Sequence, residues 1–330
     1  MSALRVLFAL ALTLALAGPV QAAGPNLGIL IYKYDDAYIS TVRNALGQAL
    51  KDKAAFTMLD GQGDQALQNS QLDAMLEKKV NGLIVNMVDA QAAEDVLDKI
   101  MAAGIPVVFF NREPDLGLLM EYDKAVFIGT NAADAGKMQG DLIKKIWDSH
   151  PDYDLNKDGR FQYVMFQGEP DNPEAIARTE WSVKQAELNG IKMAQLGRTH
   201  VCNWDADQAE AAMESALAES GGQIELVIAN NDSMALGAIA ALTKHGYNLE
   251  GGSKFIPVLG VDATDQAIEA INKGLMSGTV RQDGQAMGEA VAAVMLNLAA
   301  GKAPLEGTSH RFDDSGLAVR IPYSPYLGRK

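Results

Sequence analysis

Residues 154 to 162 read DLNKDGRFQ, with oxygen-bearing side chains at alternate positions around a glycine. Asp154, Asn156 and Asp158 stand at positions 1, 3 and 5 of a calcium loop, and Gly159 supplies the sharp turn at position 6. The carbonyl of Arg160 can serve as position 7 and Gln162 as position 9. Such a mixture of carboxylate, carboxamide and main-chain oxygen suits a hard cation that takes six to eight ligands. A helix–loop–helix calcium hand also needs a bidentate Glu at position 12, and that position is Met165. Met165 sits in FQYVMF, residues 161 to 166, an apolar run that reads as a strand where the hand would have a helix. The letters therefore predict calcium geometry outside that motif, with one carboxylate to come from elsewhere. An Asx-rich solvated turn is the alternative.

A second group of polar residues follows the ends of apolar runs. Asp35 and Asp36 follow LGILIY, Asn111 and Arg112 end IPVVFFNR, Asn230, Asn231 and Asp232 follow IELVIA, Asp262 ends VLGVD, and Gln282 and Asp283 follow GTVR. In open parallel sheets ligands bind beyond the carboxyl ends of the strands, so these positions are expected to converge on one cleft. Asp and Asn at such junctions also cap helices, but Arg112 and Gln282 are poor caps, and the set as a whole favours a polar pocket. With Arg178 it offers acceptors and fork-shaped donors, which suits a neutral ligand carrying several hydroxyls. Tyr38 and Trp204, each among polar neighbours, are flat faces for the apolar side of a sugar ring. No GxGxxG follows the first strand, and GxxxxGK[ST] occurs nowhere.

The elements that must hold these residues are short Val-, Ile- and Phe-rich runs alternating with longer helix-period stretches. Nine such strands are expected, from LGILIY at residues 27 to 32 to GTV at 278 to 280. Strict alternation implies α/β architecture with parallel sheets covered on both faces. Nine strands exceed one comfortable doubly wound domain, so two Rossmann-like domains are expected. The start, MSALRVLFALALTLALAGPVQA, has Arg5, an apolar core, a Gly18–Pro19 breaker and small residues before Ala22, as in a cleaved secretory signal. With no cysteine near that cleavage point, no lipid anchor is expected on an exported chain that diffuses freely. The single cysteine, Cys202, cannot form an intrachain disulfide, so the fold must rest on its core. The net charge of −14 disfavours nucleic acid and anionic lipid as partners.

With these features in hand, the chain resembles the galactose- and glucose-binding branch of the type I periplasmic sugar-binding family that feeds ABC importers. The resemblance covers nearly all of the chain after residue 22. It rests on YKYDD at 32 to 36, IPVVFFNREP at 105 to 114, DLNKDG at 154 to 159, VIANND at 227 to 232 and GVDA at 260 to 263. It implies that Glu225 completes a structural Ca2+ site. It also implies that Asp36, Asn111, Arg178, Asn231 and Asp262 are polar sugar contacts, with Trp204 as a stacking face. Four positions depart from the family: Tyr38 replaces Phe, Asn172 replaces His, Glu174 replaces Asp and Gln282 replaces Asn. The last two lengthen a side chain by one methylene inside a tight pocket, enough to shift a ring or exclude an epimer.

The resemblance further implies a periplasmic monomer of two lobes joined by three crossings, near Thr130, near Gln282 and around Leu317. The first lobe then comprises 23–130 with about 283–317, and the second 131–282 with about 318–330. Ligand, galactose or glucose in the first instance, is bound by hinge closure and presented to a membrane ABC permease, with a chemotaxis receptor as a further partner. A rival of another class is an exported glycosidase using Asp36 and Asp262, although the surrounding carboxamides and Arg are expected to keep both ionised. A sugar-responsive repressor requires a basic helix-turn-helix at the N-terminus, where this chain has the signal-like segment.

Overall fold

The computed structural model describes residues 24–328, so the signal segment expected at 1–22 lies outside the described residues. Strands and helices alternate: β1 (Asn26–Ile31), α1 (Ala37–Leu50), β2 (Ala55–Asp60), α2 (Gln65–Glu77), β3 (Gly82–Val85), α3 (Ala93–Ala103), β4 (Val107–Phe110), α4 (Leu116–Leu119) and β5 (Ala125–Gly129). A second run holds α5 (Ala132–Ser149), β6 (Phe161–Gln167), α6 (Pro173–Leu188), β7 (Met193–Gln195), β8 (His200–Val201), α7 (Ala206–Ser220), β9 (Leu226–Ala229), α8 (Asp232–Lys244), β10 (Val258–Asp262), α9 (Asp265–Asn272) and β11 (Gly278–Arg281). After these come α10 (Gly284–Ala299), β12 (Ala318–Arg320) and β13 (Ser324–Tyr326). The nine strands expected from the sequence are all present. The unanticipated ones, β7, β8, β12 and β13, are only two or three residues long.

Two sheets result, one ordered β12-β5-β4-β3-β1-β2 and the other β13-β11-β10-β9-β6-β7, with β8 also pairing β6. All neighbours are parallel except β13, which runs antiparallel to β11 at an edge. Each sheet is apolar on both faces, as parallel strands between helices must be. In the first sheet, Phe110, Val108 and Ile128 face the layer of α1 and α10, while their neighbours Phe109, Val107 and Phe127 face that of α2 and α3. Two further clusters cover the second sheet in the same way.

The chain passes between sheets at 130–131, 282–283 and 321–323. The last crossing corrects the expected one near Leu317. Ala318 and Val319 are buried and apolar, and they complete the first sheet by pairing with Phe127 and Ile128 on the open edge of β5. The chain leaves that sheet only after Arg320.

Helix α6, which carries several of the expected pocket residues, lies unusually close to α5. A Cβ at Gly136 would stand 2.7 Å from Trp181 Cβ, and one at Gly140 2.5 Å from Gln185 Cβ and 2.8 Å from the Ala186 nitrogen. Glycines four apart form a flat strip that lets the two backbones touch. Gly140→Ala gains about 1 kcal/mol of helix propensity but forces apart a packed crossing, at about 1–3 kcal/mol. A net destabilisation of up to about 2 kcal/mol is expected by urea unfolding; a stabilised variant would contradict the close approach.

Candidate functional site

Three helices begin at the cleft between the lobes, and their caps are residues expected in the pocket. Asp36 Oδ1 accepts from the Ile39 N–H at 2.7 Å to start α1. Asn172 Oδ1 accepts from the N–H groups of Glu174 and Ala175 at 2.9 and 3.3 Å to start α6. Asn231 Oδ1 accepts from Met234 N–H at 2.9 Å to start α8. Capping and pocket formation are thus one arrangement, because a capped helix start points its positive end at the cleft.

All ten predicted ligand-contact residues line a single cavity between the lobes. The first lobe contributes Asp36, Tyr38 and Asn111. The second contributes Asn172, Glu174, Arg178, Trp204, Asn231 and Asp262, and Gln282 lies on the second crossing. Tyr32, Ile39 and Arg112 also face the cavity. The extra hydroxyl of Tyr38 donates to the Met287 sulfur at 3.4 Å, so it is satisfied within the first lobe.

Several of these residues sit in backbone conformations that side chains rarely adopt: φ is 62° at Asn111, 65° at Trp204, 117° at Asp262 and 56° at Ala263. Each costs on the order of 1–3 kcal/mol and persists only where the surroundings enforce it. At Asp262 the enforcer is Asp232, fully buried, whose carboxylate accepts from Thr279 Oγ1 at 2.6 Å and from Thr264 N–H at 2.8 Å. Burial pushes the Asp232 carboxyl up to about 7, although the threonine hydrogen bonds hold it down. Trp204 lies against Gly168, where any Cβ would fall 2.3 Å from the indole ring.

The charge at the centre is Arg178, 4% exposed. Its Nη1 donates to the Asn230 carbonyl at 2.9 Å, and its Nη2 reaches Glu174 at 2.8 Å and both Gln282 Oε1 and the Tyr323 hydroxyl at 2.9 Å. Burial works against its charge, but Tyr323, Glu174 and Asp262 outweigh it and hold the proton more tightly than usual. Asp262 lies 3.9 Å from Arg178 Nη1. Burial nevertheless raises its carboxyl well above the ordinary range, with Arg178 opposing. The expectation of an unperturbed Asp262 is therefore corrected: the site is drier than its polar letters suggest.

Across the cleft, Arg112 stacks on the Tyr32 ring at 3.8 Å and pairs with Glu169 of the other lobe at 2.9 Å. Sequence reasoning missed Tyr32 and Glu169, although both stand at strand ends. Among the described residues, three buried donors in the cavity wall lack a protein partner: Arg178 Nε, Trp204 Nε1 and Gln282 Nε2.

The acidic loop lies away from this cleft, immediately before β6. Its carboxylates fold the loop: Asp154 accepts from the Asp158 and Gly159 N–H groups at 3.1 and 3.0 Å, and Asp158 from Arg160 N–H at 2.8 Å. Glu225, 2% exposed, reaches over from the residue before β9 and accepts from Leu155 N–H at 2.6 Å and Gln162 N–H at 3.0 Å. Burial raises its carboxyl, against those N–H groups. Among the described residues no three His, Cys, Asp or Glu side chains converge as metal ligands. The donor set is mixed oxygen instead. Gln162 Oε1 is buried without a partner, and among the described residues no Lys, Arg or His pairs with Asp154, Asp158 or Glu225. An orphaned carbonyl among unpaired carboxylates fits a hard cation.

The chain is 39% identical over 318 residues to the D-galactose/methyl-galactoside binding periplasmic protein MglB of Haemophilus influenzae, covering 96% of this chain and 93% of that one. It is 30% identical to a putative rhizopine-binding protein of Rhizobium meliloti, over 90% of this chain and 91% of the relative. Among solved structures, a solute-binding protein of an ABC transporter from Bacillus halodurans with bound myo-inositol superposes with a TM-score of 0.74 at 27% identity, covering 93% and 96%. The periplasmic binding protein domain family matches residues 27–303, and with its two parallel-sheet lobes the chain belongs to that family.

Proposed function

We propose that the chain is the periplasmic solute-binding component of an ABC sugar importer, holding a hexose, galactose or glucose, between its lobes. The observation that carries this reading is the pairing of three unpartnered buried donors with the carboxylates of Asp36 and Asp262 in one cavity. A buried donor without an acceptor costs about 1–3 kcal/mol. A hydroxyl is donor and acceptor at once, so a ring bearing several can satisfy both kinds of group. Tyr38 and Trp204 offer aromatic surface from opposite lobes. The basic residues Arg112 and Arg178 face nearby acids, leaving little net charge for an ionic ligand to neutralise. The 39% identity to a galactose-binding relative supports the hexose.

Closure of the lobes removes water from these bonds, and the closed form is what a membrane permease, and a chemoreceptor, reads. Residues 1–22 direct export, and the chain works as a periplasmic monomer. Its part is binding without chemistry. The raised Asp262 carboxyl favours a glycosidase reading, but the Asp36 oxygens already accept from Ile39 N–H and from Tyr32 hydroxyl at 2.6 Å. Calcium held by Asp154, Asn156, Asp158, the Arg160 carbonyl, Gln162 and Glu225 supplies positive charge that pins the loop to β6 and β9.

Two outcomes follow. Galactose or glucose raises the melting temperature, and Asp262→Asn, which exchanges an acceptor for a donor, weakens binding tenfold or more, about 1.4 kcal/mol. If neither hexose shifts the melting point, or a labelled hexoside is turned over, the reading falls. Calcium at a hundred times its dissociation constant contributes about 2.7 kcal/mol, so EDTA lowers the melting temperature by several degrees while the hexose-induced shift persists. An unchanged melting point would remove the metal.

A further inference from the structure

All three crossings between the lobes are tied to one ion pair. Arg178 Nη2 donates to Gln282 on the second crossing and contacts the Tyr323 hydroxyl on the third, each at 2.9 Å. Glu174 accepts from Thr130 Oγ1 on the first crossing at 2.7 Å and from the Tyr323 hydroxyl at 3.0 Å. Tyr323 Oη also lies 2.9 Å from Thr130 Oγ1, so its one proton is available to that oxygen or to Glu174. Thr130, Gln282 and Tyr323 are 2, 3 and 7% exposed, so this knot is screened from water. Both oxygens of Glu174 are engaged in it.

We propose that Glu174 is a positioning residue of the hinge rather than primarily a ligand contact: with Tyr323 and Thr130 it sets the angle between the lobes, and through Arg178 it couples that angle to the occupied cleft. Glu174 stands on the first turn of α6 and has a side chain long enough to touch two crossing segments while still pairing with Arg178 one turn later. An aspartate there loses one methylene of that reach. Arg178 Nε remains free for the ligand, while Nη1 and Nη2 are held by the protein. A ligand atom that draws on Nε therefore acts on a group whose other arms hold the second and third crossings directly and the first through Glu174. Weakening the knot loosens the free protein toward an open form, and a ligand that requires closure then binds more weakly by the fraction of molecules no longer closed.

The proposal rests on the hexose reading for its affinity readout but not for its structural one. Tyr323→Phe is the decisive variant, because Tyr323 does not line the cavity and loses only the hydroxyl shared by Thr130, Glu174 and Arg178. Small-angle scattering of the ligand-free protein is expected to give a larger radius of gyration for Tyr323→Phe and Glu174→Gln than for the parent. Hexose-saturated forms should match the parent, and the two variants should show similar losses of hexose affinity, about tenfold. Thr130→Val, which removes the remaining hydroxyl, serves if either fails to fold, as judged by its melting curve. An unchanged radius and unchanged affinity in Tyr323→Phe would overturn the proposal. So would an affinity loss confined to Glu174→Gln and differing between galactose and glucose, which would make Glu174 a direct ligand contact. Should no hexose bind the parent protein, the scattering comparison alone still decides the hinge role.

Discussion

A guanidinium withdrawn from water is tolerable only when its charge and all its N–H groups are answered, and leaving a partner out costs several kcal/mol. Arg178 imposes that constraint on this molecule. Its partners cannot come from one lobe, because α6 offers only Glu174 within reach; the rest arrive from the strand end at Asn230 and from the crossing segments at Gln282 and Tyr323. Satisfying one buried cation therefore fixes where the segments pass between lobes. Its Nε is the one nitrogen without a protein partner, and it is among the groups a ligand must answer. Pocket and hinge share one set of charges, and neither can be altered alone.

The rest of the cleft follows from the sheet. Parallel strands present all their carboxyl ends to one side, and each following helix must begin there with unsatisfied N–H groups. Asp36, Asn172 and Asn231 satisfy those groups with one oxygen and still border the cavity. The cost appears in the backbone, at Asn111, Trp204 and Asp262, where positive φ turns the side chain out of its strand direction. Asp232 illustrates how that strain is held: a carboxylate with no access to water grips the turn after Asp262 through Thr264 and Thr279.

What could be read from the sequence divides along the same line. Apolar runs alternating with helix-period stretches revealed both sheets, because a strand buried on both faces reads locally as a continuous apolar run. Polar letters at strand ends located the pocket, because topology alone brings strand ends together. Tyr323 left no such mark, and although Thr130 and Glu169 follow strand ends, their partners were not legible. Tyr323 lies 145 positions from Arg178 and 193 from Thr130, so their contact exists only once both sheets have formed. The edge strands β12 and β13 were too short for any pattern, and with them went the position of the third crossing. Asp262 was misjudged for a related reason: its neighbours in sequence are polar, but in the fold it is buried at the cavity wall, and burial decides its proton.

The acidic loop and the cleft are joined by the same two strands. Gln162 is the second residue of β6, while Gly168 and Glu169 follow its far end. Glu225 precedes β9, while Asn230 and Asn231 follow it. These strands pair side by side, Tyr163 with Leu226 through Phe166 with Ala229, so loop and pocket occupy opposite ends of one ladder. At about 3.3 Å per residue, the seven residues of β6 hold the two sites roughly 20 Å apart. A one-residue slip of either strand would turn its side chains to the other face, and both faces here are packed core. The ladder therefore transmits position and resists graded movement. Clamping the amino ends of β6 and β9 fixes the register on which Trp204's bed at Gly168 and the Asn231 cap depend. Such a clamp lies wholly within the second lobe, at the end of the ladder away from the cleft.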